Sequence, residues 1–353
     1  MCDSAQSLIL TPVTIATMDK PENRISVLDG WRGIAILLVL AAHLFPIGPK
    51  FLHLNDLAGL VGMALFFVLS GFLMSHFLLY RTDVIDFLIR RFFRILPLAW
   101  LVIAISLLIF PVNQDAWLAH LFFYANYPPK PFVPHVTEHF WSLCVELHFY
   151  IGIALIVSLF KKNGLLLIPV ICVGITLLRI IKGAEISVIT HLRVDEILAG
   201  SMLALVFNQK LGLGSINFIR KQNFFLMLAL LLISSHPQAG AFLYLRPYFA
   251  ALLIGNTLLN QGTKINLLLD AKILVYIASI SYALYVLHPL LASSWLGSGN
   301  IMEKYSKRPL LLIVIFVCAY LSTFYYEHKA IAIGKTLSLK INFFKQAKAV
   351  NKS

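Results

Sequence analysis

Charge is what these 353 residues have least of: Asp, Glu, Lys and Arg together make up 13%, against about 25% in ordinary soluble domains. Acidic residues are the scarcer sign, 16 against 29 basic ones. With 59% hydrophobic residues and a mean hydropathy of +0.83, this shortage excludes a soluble globular enzyme, a disordered tail and a collagen-like fibre. The apolar excess consists of full-sized side chains, 26 of them Phe, which call for a lipid solvent. A formal charge of +13 would suit a nucleic-acid binder, but such a protein gathers Lys and Arg on one soluble face. Here they punctuate apolar runs, so no nucleic-acid partner is expected.

Cysteine is scarce as well. Cys2, Cys144, Cys172 and Cys318 form no Cys-x-x-Cys or other ligand spacing, and the last three lie inside apolar runs, so neither a disulfide nor a zinc site is expected. The first 24 residues contain Asp3, Asp19 and Glu22 and no basic leader. They do not resemble a cleaved signal peptide, and the N-terminus is expected to stay on the mature protein. Linkers, internal repeats and low-complexity tracts are also missing, and the longest polar connection is 112–139 with its four prolines. Any chemistry therefore belongs to the membrane part itself.

A spanning helix needs about 20 mostly apolar residues. Such runs fall near residues 31–48, 57–79, 93–111, 140–160, 164–181, 194–208, 222–236, 241–260, 273–295 and 309–326, the sixth and seventh being short. The expected fold class is all-α: a polytopic transmembrane helix bundle of about ten spans. If the N-terminus is cytoplasmic, nineteen of the 29 Lys and Arg fall on its side, seven opposite, and Arg32, Arg179 and Arg246 within spans. By the positive-inside rule both termini are then expected to be cytoplasmic. The chain divides into a cytoplasmic N-terminal segment, 1–24, a membrane domain, 25–327, and a basic cytoplasmic tail, 328–353. Lys329, Lys335, Lys340, Lys345, Lys348 and Lys352 suit this tail either to an anionic leaflet, at about 1 kcal/mol per basic residue, or to solvent.

An ionisable side chain in mid-bilayer costs about 2.5–3.5 kcal/mol on insertion scales, so each one is a functional candidate. In the first span Asp29-Gly30-Trp31-Arg32-Gly33 is followed by nine apolar residues and then His43. Eleven positions at 100° per residue leave Arg32 and His43 about 20° apart in azimuth and about 16 Å apart along the axis, on one face. A cation at one end of that stripe suits a phosphate, and an imidazole at the other suits proton abstraction from a hydroxyl. The competing use is a snorkelling Arg32 and a His43 bonded to a carbonyl. Arg90, Arg91 and Arg94 point broadly to one side of a helix, where they offer bidentate contacts to a phosphorylated ligand or a plain positive-inside anchor.

In the fourth span Ser142, Glu146 and Tyr150 recur every four residues, while His148 is rotated about 200° from Glu146. Glu146 is the candidate to orient His43 or a substrate hydroxyl, with interhelical hydrogen bonding as its competing use. Span six opens with Arg193-Val194-Asp195-Glu196. Span nine carries Ser281, Tyr285 and His288 at i, i+4, i+7, a polar stripe. Pro289 deprives the Tyr285 carbonyl of its helix donor, which offers His288 a structural alternative. Two motifs are set aside. Ser70 has Val68 where a nucleophile elbow wants Gly and reads as a helix-packing point. His135 and His139 sit beside Pro134 in a loop without the adjacent Glu of a zincin, so no metal is expected.

Taken together these segments resemble the acyltransferase-3 family of integral membrane O-acyltransferases, which includes acetylases of lipopolysaccharide O-antigen, peptidoglycan, exopolysaccharide and some macrolides. The likeness runs from Ile25 to Glu327. It rests on Leu28-Asp29-Gly30-Trp31-Arg32-Gly33 through His43, on Phe66 to Phe72, and on Arg90-Arg91-Phe92-Phe93-Arg94-Ile95-Leu96-Pro97. Further on it rests on Phe140-Trp141-Ser142-Leu143 with Glu146 and Phe149-Tyr150, on Arg193 with Asp195, and on Ser281-Tyr282 with His288-Pro289. Leu147 departs from the pattern where a second acidic residue is often found, and His148 where Gln is common. Many relatives carry a fused extracytoplasmic esterase-like domain, and this chain is expected to be a stand-alone member.

The resemblance implies acyl-CoA, most often acetyl-CoA, as donor and a hydroxyl of a cell-envelope carbohydrate or glycolipid as acceptor, in the bacterial inner membrane. On this basis Arg32, Arg90, Arg91 and Arg94 are expected to hold the CoA phosphates, and His43 to act as general base oriented by Glu146. Trp141, Ser142, Arg193, Asp195, Tyr285 and His288 are expected to bind substrate. The competing class is a polytopic transporter or glycan exporter. Against it stands the lack of Gly/Pro-broken spans in matching halves.

Overall fold

The computed structural model describes residues 25–350, with side chains to Phe343. Residues 1–24 with Cys2, Lys20 and Arg24, the side chains of Lys345 and Lys348, and Lys352 lie outside the described residues. Among these residues every regular element is helical: α1 (Ser26–Leu44), α2 (Leu54–Tyr80), α3 (Val84–Ile109), α4 (Gln114–Leu121), α5 (Trp141–Phe160), α6 (Ile168–Ile181), α7 (Asp195–Phe207) and α8 (Leu213–Arg220). There follow α9 (Phe224–Ile233), α10 (Arg246–Leu259), α11 (Lys264–Leu269), α12 (Lys272–Ser279), α13 (Ser281–Ala292), α14 (Ile301–Ser306), α15 (Arg308–Leu321) and α16 (His328–Val350).

Local chemistry explains where these helices begin and end. The α1 helix stops at Phe45, held extended at φ −125°, ψ 147° because Pro46 follows and disfavours the helical conformation before it. The Asp83 side chain accepts from the backbone N–H groups of Ile85 and Asp86, an N-cap that satisfies two donors at the start of α3. Pro309 sits in the first turn of α15, where its missing N–H costs nothing.

The α2 helix is the axis of the bundle: 72% of its apolar stretch is buried, against 22% for Arg308–Phe343. It is flanked by α1 and α7. At the crossing with α7 the two backbones touch, since a Cβ on Gly71 would enter the Ile197 carbonyl and one on Gly200 the Val68 carbonyl. Small residues permit such close packing of membrane helices. The α13 helix packs on α1, α3 and α15, which brings His288 to His43.

Six helices are long and apolar enough to cross a membrane, or up to eight if each of two bent pairs is one span. This is fewer than the ten expected, for identifiable reasons. Expected spans 140–160 and 164–181 fall within one helical run, Glu138–Ile181, interrupted at Lys161, where φ is +55°. Expected span 194–208 contains only the 13 residues of α7, which are shielded by neighbouring helices rather than matched to the thickness of a bilayer. The pairs α8 with α9 and α12 with α13 are bent by 85° and 64°.

The stretch from 328 onward, expected as a leaflet-bound or solvated tail, is a helix docked on α3. Ser338 is buried and bonds to Asp86, which also accepts from Arg90 Nε at 2.5 Å. Tyr326 donates to the Pro97 carbonyl and Gly334 lies against Phe93, so α16 and the segment just before it run antiparallel to the first half of α3. Lys329, Lys335 and Lys340 stay exposed.

Candidate active site

Two cavities meet inside the bundle. The smaller, about 100 Å³, is lined by Arg32 of α1, Ser70 of α2, Arg91 and Arg94 of α3, and Ser142, Glu146 and Tyr150 of α5. Three guanidinium groups thus share the lining with Glu146, its sole carboxylate. Glu146 is itself engaged: its Oε1 accepts from Ser70 Oγ at 2.5 Å and from the Tyr150 hydroxyl. The remaining positive charge suits an anion, which planar guanidinium forks bind in bidentate fashion.

The larger cavity, about 780 Å³, is lined by His43 of α1, Trp141 of α5, Arg193 before α7, and Tyr285 and His288 of α13. His43 Nδ1 lies 2.9 Å from His288 Nε2, and His288 Nδ1 lies 3.0 Å from the Leu284 carbonyl oxygen. That carbonyl only accepts, so His288 Nδ1 carries the proton. The neutral ring then has a lone pair at Nε2, which accepts a hydrogen bond from His43 Nδ1–H. His43 Nε2 is left unprotonated, as a proton acceptor needs to be.

Tyr285 and Met63 line both cavities. The Tyr285 hydroxyl donates to the His139 carbonyl at 2.6 Å and lies 2.6 Å from Ser142 Oγ. These bonds hold the partition between the arginine side and the histidine side.

The geometry departs from the sequence reading at three places. Glu146 does not orient His43: it stands in the arginine cavity with Ser70 and Tyr150, and His288 takes the orienting position. Arg90 is not with Arg32, Arg91 and Arg94, because its Nε is held by Asp86 outside the cavity. Asp195, expected to bind substrate, lines neither cavity. It is buried against Arg179 and Thr176, while Arg193 Nη2 lies 3.2 Å from Glu196, which Arg246 also contacts. These buried ion pairs clamp α7 to α6 and α10.

Two residues escaped the sequence reading. His139, set aside as a loop histidine, is 7% exposed and its ring lies 5.8 Å from that of His288 and 5.3 Å from that of Tyr285. Its position one residue before Phe140-Trp141 was the available signal. Ser70, read as a packing point, reaches Glu146 across the arginine cavity. No group of three His, Cys, Asp or Glu among the described residues is arranged to hold a metal ion.

An all-helical bundle with several helices long and apolar enough to cross a membrane, and with an arginine-lined cavity beside a histidine-lined one, defines the class as an integral, multi-pass membrane protein. The chain belongs to the acyltransferase-3 family: the family's acyltransferase-domain profile matches residues 25–328. It is similar to the putative peptidoglycan O-acetyltransferase YrhL of Bacillus subtilis, 31% identical over 222 residues, 52% of this chain and 33% of that protein. It is also similar to the O-acetyltransferase OatA of Staphylococcus aureus, 25% identical over 307 residues, 74% of this chain and 49% of that protein. A third relative is the peptidoglycan O-acetyltransferase OatA of Listeria monocytogenes, 28% identical over 217 residues, 51% of this chain and 33% of that protein. The chain spans a third to a half of the length of these relatives. No solved structure matches it.

Proposed function

We propose that this chain is an integral, multi-pass O-acyltransferase of the bacterial inner membrane that moves an acetyl group from acetyl-CoA to a hydroxyl of a cell-envelope carbohydrate. The observation that carries this reading is the meeting of the two cavities at Tyr285. The arginine cavity faces the cytoplasm, and Arg32, Arg91 and Arg94 take the phosphates of CoA. The pantetheine arm passes Tyr285 and presents the thioester near His43, about 16 Å along α1 from Arg32. The acceptor enters the histidine cavity from the opposite side. Trp141 lines that side and Ser142 the donor side.

His43 Nε2 then takes the proton of the acceptor hydroxyl as its oxygen attacks the thioester carbonyl. The tetrahedral adduct collapses with loss of the CoA thiolate, and His43 returns the proton to sulfur. The products are an ester and free CoA. His288 holds His43 in the required tautomer throughout, and general-base catalysis of this kind contributes about 10²–10⁴-fold.

The same reading sets the topology. Lys161 marks a turn between two crossings, and α7 is a short crossing inside the bundle. Added to the eight spans counted generously, these give about ten, with both termini cytoplasmic and α16 along that face.

The deciding experiment follows acetyl-CoA turnover in purified protein with bacterial glycolipid acceptors. His43→Ala is expected to lose CoA release by about 10²-fold or more while inserting and binding CoA normally. Unchanged turnover in His43→Ala would end the proposal. Proton-dependent solute flux without CoA binding would make the chain a carrier instead.

A further inference from the structure

Two arginines in the histidine cavity have no part in the transfer step: Arg193 and Arg308. They are 1% and 5% exposed. Each guanidinium carries five N–H donors, and Nε and Nη1 of both find no hydrogen-bond partner among the described residues. Arg193 has Glu196 at 3.2 Å, but that carboxylate also serves Arg246 at 2.6 Å. Aromatic rings set the two side chains in place: Arg193 lies 5.4 Å from the ring centre of Trp141, and Arg308 5.6 Å from that of Tyr305. Ring faces can hold guanidinium groups without consuming their N–H edges.

The acids of the same cavity are placed differently. Asp56 and Glu138 are 64% and 54% exposed beside His53 and His135, so water screens them at the rim. Below the rim the lining is positive, and Nε and Nη1 of both arginines are unspent. Burying a cation without a full complement of partners costs several kcal/mol, and an entering anion recovers that cost.

We infer that the histidine cavity takes an acceptor bearing an anionic group, a carboxylate or a phosphate ester, held by the unspent N–H donors of Arg193 and Arg308. Its hydroxyl is thereby presented to His43. This rests on the acyl-transfer reading and names the charge class of its acceptor. A sugar acid and a phosphate-linked glycan share this chemistry and are separated by the test.

The test reads binding rather than turnover. Full-length protein in nanodiscs is titrated with glucuronate against its methyl ester and with glucose 1-phosphate against glucose, following tryptophan fluorescence, since Trp141 lies against Arg193. The charged member of at least one pair is expected to bind about tenfold more tightly, with a preference that weakens as salt is added and is lost in Arg308→Gln. The pair that shows the preference identifies the carboxylate or the phosphate. Equal binding within both pairs, absence of binding, or a preference that survives in Arg308→Gln overturns the inference. The wild-type comparison requires no variant, so misfolding cannot produce or conceal the result. Failure of acyl transfer itself registers separately, as absence of His43-dependent CoA release.

Discussion

His43 and His288 form a pair whose protonation order is dictated by one backbone carbonyl, that of Leu284. His288 lines only the histidine cavity, so its removal should act on the chemical step and spare the donor. His288→Ala is expected to lower kcat about 10–100-fold, the usual cost of losing an orienting partner, with KM for acetyl-CoA unchanged. His288→Gln offers an amide oxygen to the same proton and is expected to recover part of that loss in the same steady-state assay. A rise in KM for acetyl-CoA in His288→Ala would place it with the donor instead. The placing of Arg32 and His43 on one face was legible because both lie on one helix, where 3.6 residues per turn settles the matter. The partner of His43 was not, since His288 is 245 positions away and no periodicity relates residues on different helices. Glu146 was misjudged for the same reason: its spacing with Tyr150 was visible, but Ser70, which turns it toward the arginines, comes from α2.

Elements show the same division between what repeats locally and what depends on neighbours. Long apolar runs such as α2 and α3 were visible because a bilayer sets their length. The sixth run, 194–208, was already short for a bilayer, and its helix α7 has only 13 residues, with Asp195 and Glu196 at its start paired to Arg179 and Arg246 of other helices. Its contact with α2 is backbone on backbone at Gly71 and Gly200, so neither helix can yield by rotating a side chain. Gly200→Leu is expected to separate them and destabilise the fold by at least the 1–3 kcal/mol or so typical of overpacking. The measurement is the midpoint of thermal aggregation in detergent, read by size exclusion. A midpoint within a degree of wild type would mean that the two backbones are not in contact.

For the whole molecule, the proposed transfer requires that the two cavities open to opposite sides. Phe51 lies in the connection between α1 and α2, on the side of the histidine cavity, and is 73% exposed. Lys162 lies between α5 and α6 and is exposed. A cysteine at each position, in a background with Cys2 and Cys318 replaced, reports its own side, because Cys144 and Cys172 are buried. A membrane-impermeant maleimide applied to intact spheroplasts is expected to label Phe51→Cys at once and Lys162→Cys only after permeabilisation. That pattern puts the histidine cavity outside and leaves the arginine cavity to cytoplasmic acetyl-CoA. The reverse pattern would expose His43 to the cytoplasm and the arginines to the exterior, where CoA is not supplied. Donor and acceptor would then have to share the 780 Å³ histidine cavity, Arg32, Arg91 and Arg94 would lose their assigned ligand, and transfer across the partition at Tyr285 would have no purpose.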